Sequence, residues 1–270
     1  MALNNKTVAF IGAGNMAEAL IKGMLSARAV SPRQIIATDV SSDRLTWLRE
    51  EYGIRTAEDD VTPEHADIVI LAVKPQVLPD VLREFAAIIR PGQLAVSIAA
   101  GVTTKYIESM LPKGSVVVRA MPNTPALVRR GATAICAGSC ATAGHMADAR
   151  DVFRDVGSVI EVPESAMNAV TAVSGSGPAY VFYVMEAMIA AALSSGVPAD
   201  QAQRLVVETV CGAGELALHS AEHPEELRRR VTSPGGTTEA AVNVFDANNM
   251  KKTIEDAIAA AVKRAQALAR

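Results

Sequence analysis

Thr7-Val8-Ala9-Phe10-Ile11-Gly12-Ala13-Gly14-Asn15-Met16-Ala17 is the stretch that decides how this chain is read. Its first five residues are β-branched, small or aromatic, the composition of a strand. The next six match the pattern G-x-G-x-x-G/A. Gly12 permits a sharp turn, Gly14 lets the backbone approach a pyrophosphate, and Ala17 keeps the following helix close to the sheet. Amides at the helix start then face the anionic phosphates. Small residues abound in this chain, so the match alone is weak. Its context adds the weight: the loop directly follows an apolar strand and opens a helix expected over Asn15 to Ala27.

Working outward, strand and helix patterns alternate as far as Pro163. Further strands are expected at Gln34 to Thr38, Ala66 to Val73, Leu94 to Ile98, Val116 to Met121 and Ala132 to Cys136. Helical patterns lie between them at Ser42 to Tyr52, Gln76 to Ile88, Thr103 to Met110 and Ala141 to Val156. This succession predicts an α/β domain, residues 1–163, built as a doubly wound, mainly parallel sheet of the Rossmann type. After Pro163 only helical periodicity remains, over Glu164 to Ser194, Ala199 to Ser220, Glu225 to Val231, Thr238 to Asn248 and Met250 to Leu268. Residues 164–270 therefore read as an all-α second domain, alanine-rich and short of aromatics, suited to close helix packing within or between subunits.

Asp39 ends the second strand 22 positions after Ala17 (39 minus 17). That is close to the spacing of the acid that accepts hydrogen bonds from the ribose of NADH and repels the 2′-phosphate of NADPH. Ser41, Ser42 and Arg44 leave NADPH open, and a turn or cap role for Asp39 stays open too. Three other strand ends face the same rim. Ala72-Val73-Lys74-Pro75 ends one with a lysine and a proline, Ser97-Ile98-Ala99-Ala100-Gly101 ends the next with small residues, and Met121-Pro122-Asn123-Thr124-Pro125 ends a third with rigid turns. Ligands bind beyond the carboxyl ends of strands in open α/β sheets, so these positions favour a cofactor-lining role. For Lys74 the surface-lysine alternative stands beside it.

Bulk properties narrow the partners. The chain has 270 residues, is 50% hydrophobic and carries a formal charge of -3, which argues against a nucleic-acid ligand. Cys136, Cys140 and Cys211 make neither a disulfide framework nor a metal site, and His219 and His223 read as helix-end residues, so no metal is expected. Met1 to Lys6 is too short and polar for an export signal. The longest apolar run, Tyr180 to Leu193, contains Glu186 and is too short to span a bilayer. A cytoplasmic protein without a membrane partner is expected.

Two stretches in the helical half break its pattern. Val173-Ser174-Gly175-Ser176-Gly177-Pro178-Ala179-Tyr180 places two glycines and a proline in a helix, where they cost roughly 1 and 3 kcal/mol relative to alanine. A structural kink and a ligand-facing one both explain this. Thr232-Ser233-Pro234-Gly235-Gly236-Thr237-Thr238 is a turn feeding a helix, and its amides and hydroxyls form a cradle for a substrate carboxylate. The alternative is a loop whose Thr237 or Thr238 caps the next helix.

Together, Phe10 to Ala17, Ala72 to Gln76, Met121 to Pro125, Ala172 to Tyr180 and Thr232 to Thr238 resemble the pyrroline-5-carboxylate reductase family, in order across nearly the whole chain. The last two stretches are highly specific; the first is shared with many dehydrogenases. The resemblance implies a Rossmann domain followed by a helical dimerisation domain, a homodimer or higher homo-oligomer such as a decamer, and reduction of L-1-pyrroline-5-carboxylate to L-proline with NADPH or NADH. It implies that Gly12, Ala13, Gly14, Asn15, Met16 and Ala17 hold the pyrophosphate, and that Ala72, Val73, Lys74 and Pro75 with Ala99 and Ala100 line the nicotinamide side. Asn123 joins the cofactor rim. Ser233, Gly235, Gly236, Thr237 and Thr238 take the substrate, with the Thr238 hydroxyl as the catalytic group near the ring nitrogen. The rivals are another imine or β-hydroxyacid reductase of the same layout and a noncatalytic dinucleotide-binding dimer. The hydroxyacid enzymes use a lysine on the helix after the Rossmann domain, and Glu164 to Ser194 contains none.

Overall fold

The computed structural model describes residues 3, 5–59 and 62–269. Met1, Ala2 and Asn4, part of the segment read above as too polar for export, lie outside the described residues. The N-terminal sheet has eight strands in the order β3-β2-β1-β4-β5-β6-β7-β8. They are β1 (Val8–Ile11), β2 (Ile35–Thr38), β3 (Arg55–Thr56), β4 (Ile68–Leu71), β5 (Leu94–Ser97), β6 (Val116–Met121), β7 (Gly131–Ala137) and β8 (Gly157–Glu161). All neighbours run parallel except β6 and β7, which are antiparallel.

Alternation along the strands builds a core on each face of the sheet. Val8, Phe10, Ile68, Ile70, Leu94 and Val96 belong to one cluster. It is covered by α1 (Asn15–Ser26) through Leu20, Ile21 and Met24, by α2 (Ser42–Tyr52) through Leu45 and Leu48, and by α5 (Ala143–Phe153) through Val152 and Phe153. Ala9, Val69, Leu71 and Ala95 point to the opposite cluster, covered by α3 (Leu78–Phe85) and α4 (Thr104–Met110) through Leu82, Phe85 and Ile107. β4 is buried throughout because helices lie on both sides, so its apolar run does not alternate. The doubly wound expectation therefore holds.

The second compact unit spans Gly177–Ala261, while the last residues from Val262 belong with the first unit, which runs to Ser176. Here α7 (Gly177–Ser194) packs against α8 (Ala199–His219), followed by α9 (Pro224–Arg230), α10 (Thr237–Ala247) and the part of α11 (Met250–Leu268) that precedes Val262. No residue of α7 is buried in the single chain, and Phe182 and Tyr183 are 58% and 74% exposed. An apolar helix bared in this way needs a partner surface. The stretch Glu164–Ser194 is longer than the apolar run read from the sequence, and by length and composition alone it is able to cross a membrane. Its break at Thr171–Gly175 is a π-helical turn between α6 (Met167–Val170) and α7, and a Cβ on Gly175 there would lie 2.5 Å from Met121 Cε.

Candidate active site

β1 delivers its chain into the phosphate loop through Gly12, whose φ of +97° lies in the left-handed region. A Cβ there would sit 2.7 Å from the Ala72 carbonyl oxygen, so only glycine fits between β1 and the segment after β4. Gly14 is the N-cap of α1, and a Cβ built on it would meet nothing within 4 Å. That open space lies beside first-turn amides that no side chain caps. Ala17 is buried at the sheet, whereas Asn15 is exposed. A loop with free amides beside open space fits a pyrophosphate, so the residues present suit a dinucleotide.

Asp39, just after β2, is bonded to the same loop. Its Oδ2 accepts from the Ala13 amide at 2.7 Å and its Oδ1 from the Ser41 amide at 3.0 Å. Arg44 is engaged here as well: Nε donates to the Ala13 carbonyl at 2.7 Å, Nη2 donates to Glu18, and the guanidinium stacks 4.6 Å from the Trp47 ring centre. The Tyr52 hydroxyl donates to Glu18 Oε1 at 3.1 Å. Burial, aided by the Glu18 carboxylate, pushes its pKa up to about 12. The sequence reading missed Glu18, Trp47 and Tyr52. Their only sequence signal is position, since Glu18 lies in the first turn of α1 and Trp47 and Tyr52 lie on α2.

The three strand ends have different fates. Lys74 is exposed, and its carbonyl accepts from the Val77 and Leu78 amides at the start of α3. Ala99 is buried in the core beneath the loop, whereas Ala100 is exposed. Asn123 is engaged by protein partners at both ends of its amide. Its Nδ2 donates to the carbonyl and the hydroxyl of Ser174 at 3.2 Å each, and its Oδ1 accepts from the Ala132 amide at 2.8 Å. It thus ties the end of β6 to β7 and to the π-helical turn.

Close by, sequence reasoning missed a charge cluster built on a buried arginine. Arg119 on β6 is 2% exposed, and its Nη1 donates to Glu164 Oε1 at 3.2 Å. Glu164 also accepts from the Thr104 amide at 2.9 Å and from the Thr104 hydroxyl. Burial, then the Glu164 charge, pushes the neighbouring Cys136 thiol up to about 11. It stays protonated at neutral pH and is no nucleophile. Among the described residues no group of three His, Cys, Asp or Glu is arranged to hold a metal. His219 pairs with Glu215, and His223 caps α9.

In the second unit, Ser233 to Gly236 form a turn closed by the Gly236 amide on the Ser233 carbonyl at 3.0 Å, with Gly235 at φ +70°. α10 begins at Thr237 with Gly236 as its N-cap and no side-chain cap. Neither threonine caps the helix; both stand in its first turn, Thr237 exposed and Thr238 half-buried. Glu239 Oε2 accepts from the Gly235 amide at 2.8 Å and braces the turn. The first-turn amides and the Thr238 hydroxyl together present donors to an anion.

Two family models match the chain. One, described as pyrroline-5-carboxylate reductase dimerisation, matches residues 164–268. The other, described as NADP oxidoreductase coenzyme F420-dependent, matches residues 7–101. Pyrroline-5-carboxylate reductase from Pseudomonas aeruginosa is 43% identical over 99% of this chain and 98% of its own length. The enzyme of that name from Escherichia coli is 36% identical over 98% and 99%. Among solved structures, a pyrroline-5-carboxylate reductase from Coxiella burnetii superposes with a TM-score of 0.92 at 39% identity, covering 99% of this chain and all of that one. A Plasmodium falciparum pyrroline carboxylate reductase with NADP bound has a TM-score of 0.86 at 27% identity, covering 99% of both chains.

Proposed function

This chain belongs to the pyrroline-5-carboxylate reductase family, and from that premise we propose which of its residues carry the reaction. It reduces L-1-pyrroline-5-carboxylate to L-proline with NADPH or NADH, the last step of proline biosynthesis, and it works as a homo-oligomer. The observation that carries the residue assignment is the pair of uncapped helix starts, at Gly14 and at Gly236, each following a glycine turn.

When bound, the coenzyme supplies a hydride to the imine carbon. Gly12 to Ala17 bind the pyrophosphate with the amides of the first turn of α1. Asp39 takes the ribose and biases the choice toward NADH. What supports this bias is the engagement of Arg44, the next arginine along the chain, by Ala13, Glu18 and Trp47. Ala72 to Pro75, Ala99 and Ala100 frame the nicotinamide through their backbone, and Asn123 holds the neighbouring strand end in place. The turn from Ser233 to Gly236, with Thr237, receives the substrate carboxylate. Thr238 donates a proton or a hydrogen bond from its hydroxyl to the ring nitrogen as the C=N bond is reduced, help that is typically worth about 10²–10⁴-fold.

The Rossmann and helical domains are proposed to meet at Pro163. The minimal assembly is a dimer, with dimers gathered into a decamer as the larger form. The bare apolar face of α7 supports the dimer, because a second copy covering it accounts for its hydropathy without a membrane. We place the enzyme in the cytoplasm, in keeping with its three free cysteines. Thr238→Ala tests the chemistry. It is expected to keep coenzyme affinity and lose most turnover with pyrroline-5-carboxylate; full activity removes Thr238 from the mechanism.

A further inference from the structure

The loop between β5 and α4, Ile98 to Thr103, is anchored at both ends. At its start the Ile98 amide donates to the Leu71 carbonyl at 3.2 Å, and the Ala99 amide donates to the buried Ser97 hydroxyl at 3.3 Å. At its end Thr103 caps α4 by accepting from the Tyr106 amide at 3.1 Å. The next residue, Thr104, gives both its amide and its hydroxyl to Glu164. Midway, Gly101 has φ +75°, and a Cβ there would lie 3.3 Å from the Leu268 carbonyl oxygen, so the loop is also backed from behind.

Glu164 is the common point of three segments. Besides Thr104 it holds Arg119, which lies two residues before Met121 and pairs in register with Ser97 of β5. It is also the first residue of the segment matched by the dimerisation model. One carboxylate therefore ties the loop after β5, the end of β6 and the start of the C-terminal segment. An ion pair between a buried arginine and a partly exposed carboxylate is poor evidence for stability, since desolvating Arg119 offsets much of the attraction. Its geometric effect is the more distinctive one. Three directional bonds on one carboxylate fix positions that apolar packing leaves free to slide.

We propose that Glu164, held by Arg119, is a positioning residue for hydride transfer: it fixes the loop carrying Ala99 and Ala100 at the distance the nicotinamide ring requires. This rests on the assignment of Ala99 and Ala100 to the nicotinamide side, so the test separates the two ideas.

The test uses the full-length protein with Glu164→Ala, its conservative counterpart Glu164→Gln, and Thr104→Val, which removes one hydroxyl bond without stranding a charge and decides the matter if Glu164→Ala does not fold. Amide hydrogen exchange is read without coenzyme, over residues 98–104. The primary isotope effect with 4-deuterated NADH and kcat with pyrroline-5-carboxylate are read beside it. Faster local exchange, a larger isotope effect and a kcat lower by about 10-fold or more are expected for Glu164→Ala. Smaller changes of the same sign are expected for Thr104→Val, with partial recovery in Glu164→Gln. A purely structural role lowers the melting temperature but leaves the isotope effect of the folded protein where it was, and that result overturns the proposal. Unchanged exchange overturns it at the clamp. Faster exchange with unchanged isotope effect and kcat overturns it at the loop, by showing that Ala99 and Ala100 do not set the ring's position.

Discussion

Replacing Asp39 by asparagine separates charge from shape in coenzyme choice. Asp39 accepts hydrogen bonds from the Ala13 and Ser41 amides, and an asparagine oxygen retains one of them while the charge is lost. A 2′-phosphate carries about -1.5 to -2 charge. At about 4 Å and an effective dielectric near 20, a unit charge pair interacts by about 4 kcal/mol. Asp39 is half-exposed, so solvent and salt reduce this several-fold, to about 1–1.5 kcal/mol. The ratio of kcat/KM for NADPH to that for NADH should therefore rise about 10-fold in Asp39→Asn. In Asp39→Ala the ratio should rise similarly while both absolute values fall, because the Ala13 amide loses its acceptor. Steady-state kinetics with both coenzymes at fixed pyrroline-5-carboxylate give the ratio directly, and repeating them at high salt should shrink the difference. An unchanged ratio in both variants would refute the placement of Asp39 at the ribose.

Gly12→Ala should weaken binding of both coenzymes at least 10-fold and lower the melting temperature. The left-handed conformation alone costs about 1–2 kcal/mol, and the new Cβ would be 2.7 Å from the Ala72 oxygen; coenzyme fluorescence titration and calorimetry check the two effects. Tyr52 should show a phenolate absorbance step near pH 12 that is missing from Tyr52→Phe. Because the folded state holds that proton more tightly than the unfolded chain, its contribution to stability is complete below about pH 10 and fades as pH rises toward 12. Denaturation midpoints across that range should therefore fall more steeply for the parent protein than for Tyr52→Phe.

Most of the sheet is legible in local pattern, because burial on both faces forces apolar runs such as Ile68–Leu71 whatever their neighbours. β3 and β8 are not. Two residues, Arg55–Thr56, form a strand only through pairing with β2. Gly157–Glu161 is a half-exposed edge whose composition does not mark it as a strand. The glycine loops announce themselves because Gly12 and Gly235 adopt a backbone conformation that other residues rarely take. Side-chain assignments carry less information. Asn123 reads as a cofactor contact from its place at a strand end, and nothing local in the sequence announces that its amide also bonds to Ser174, 51 positions away, and to Ala132. The Arg119–Glu164–Thr104 cluster is invisible for the same reason, since its members are joined only by the folded sheet.

The most direct measurement follows absorbance of NADH and NADPH as purified protein meets pyrroline-5-carboxylate or, in parallel, as the oxidised coenzymes meet 3-hydroxy acids. Consumption of reduced coenzyme matched mole for mole by L-proline, with no reaction of the hydroxy acids, is the predicted result. Oxidation of a hydroxy acid, or no consumption with the cyclic imine, would contradict the account.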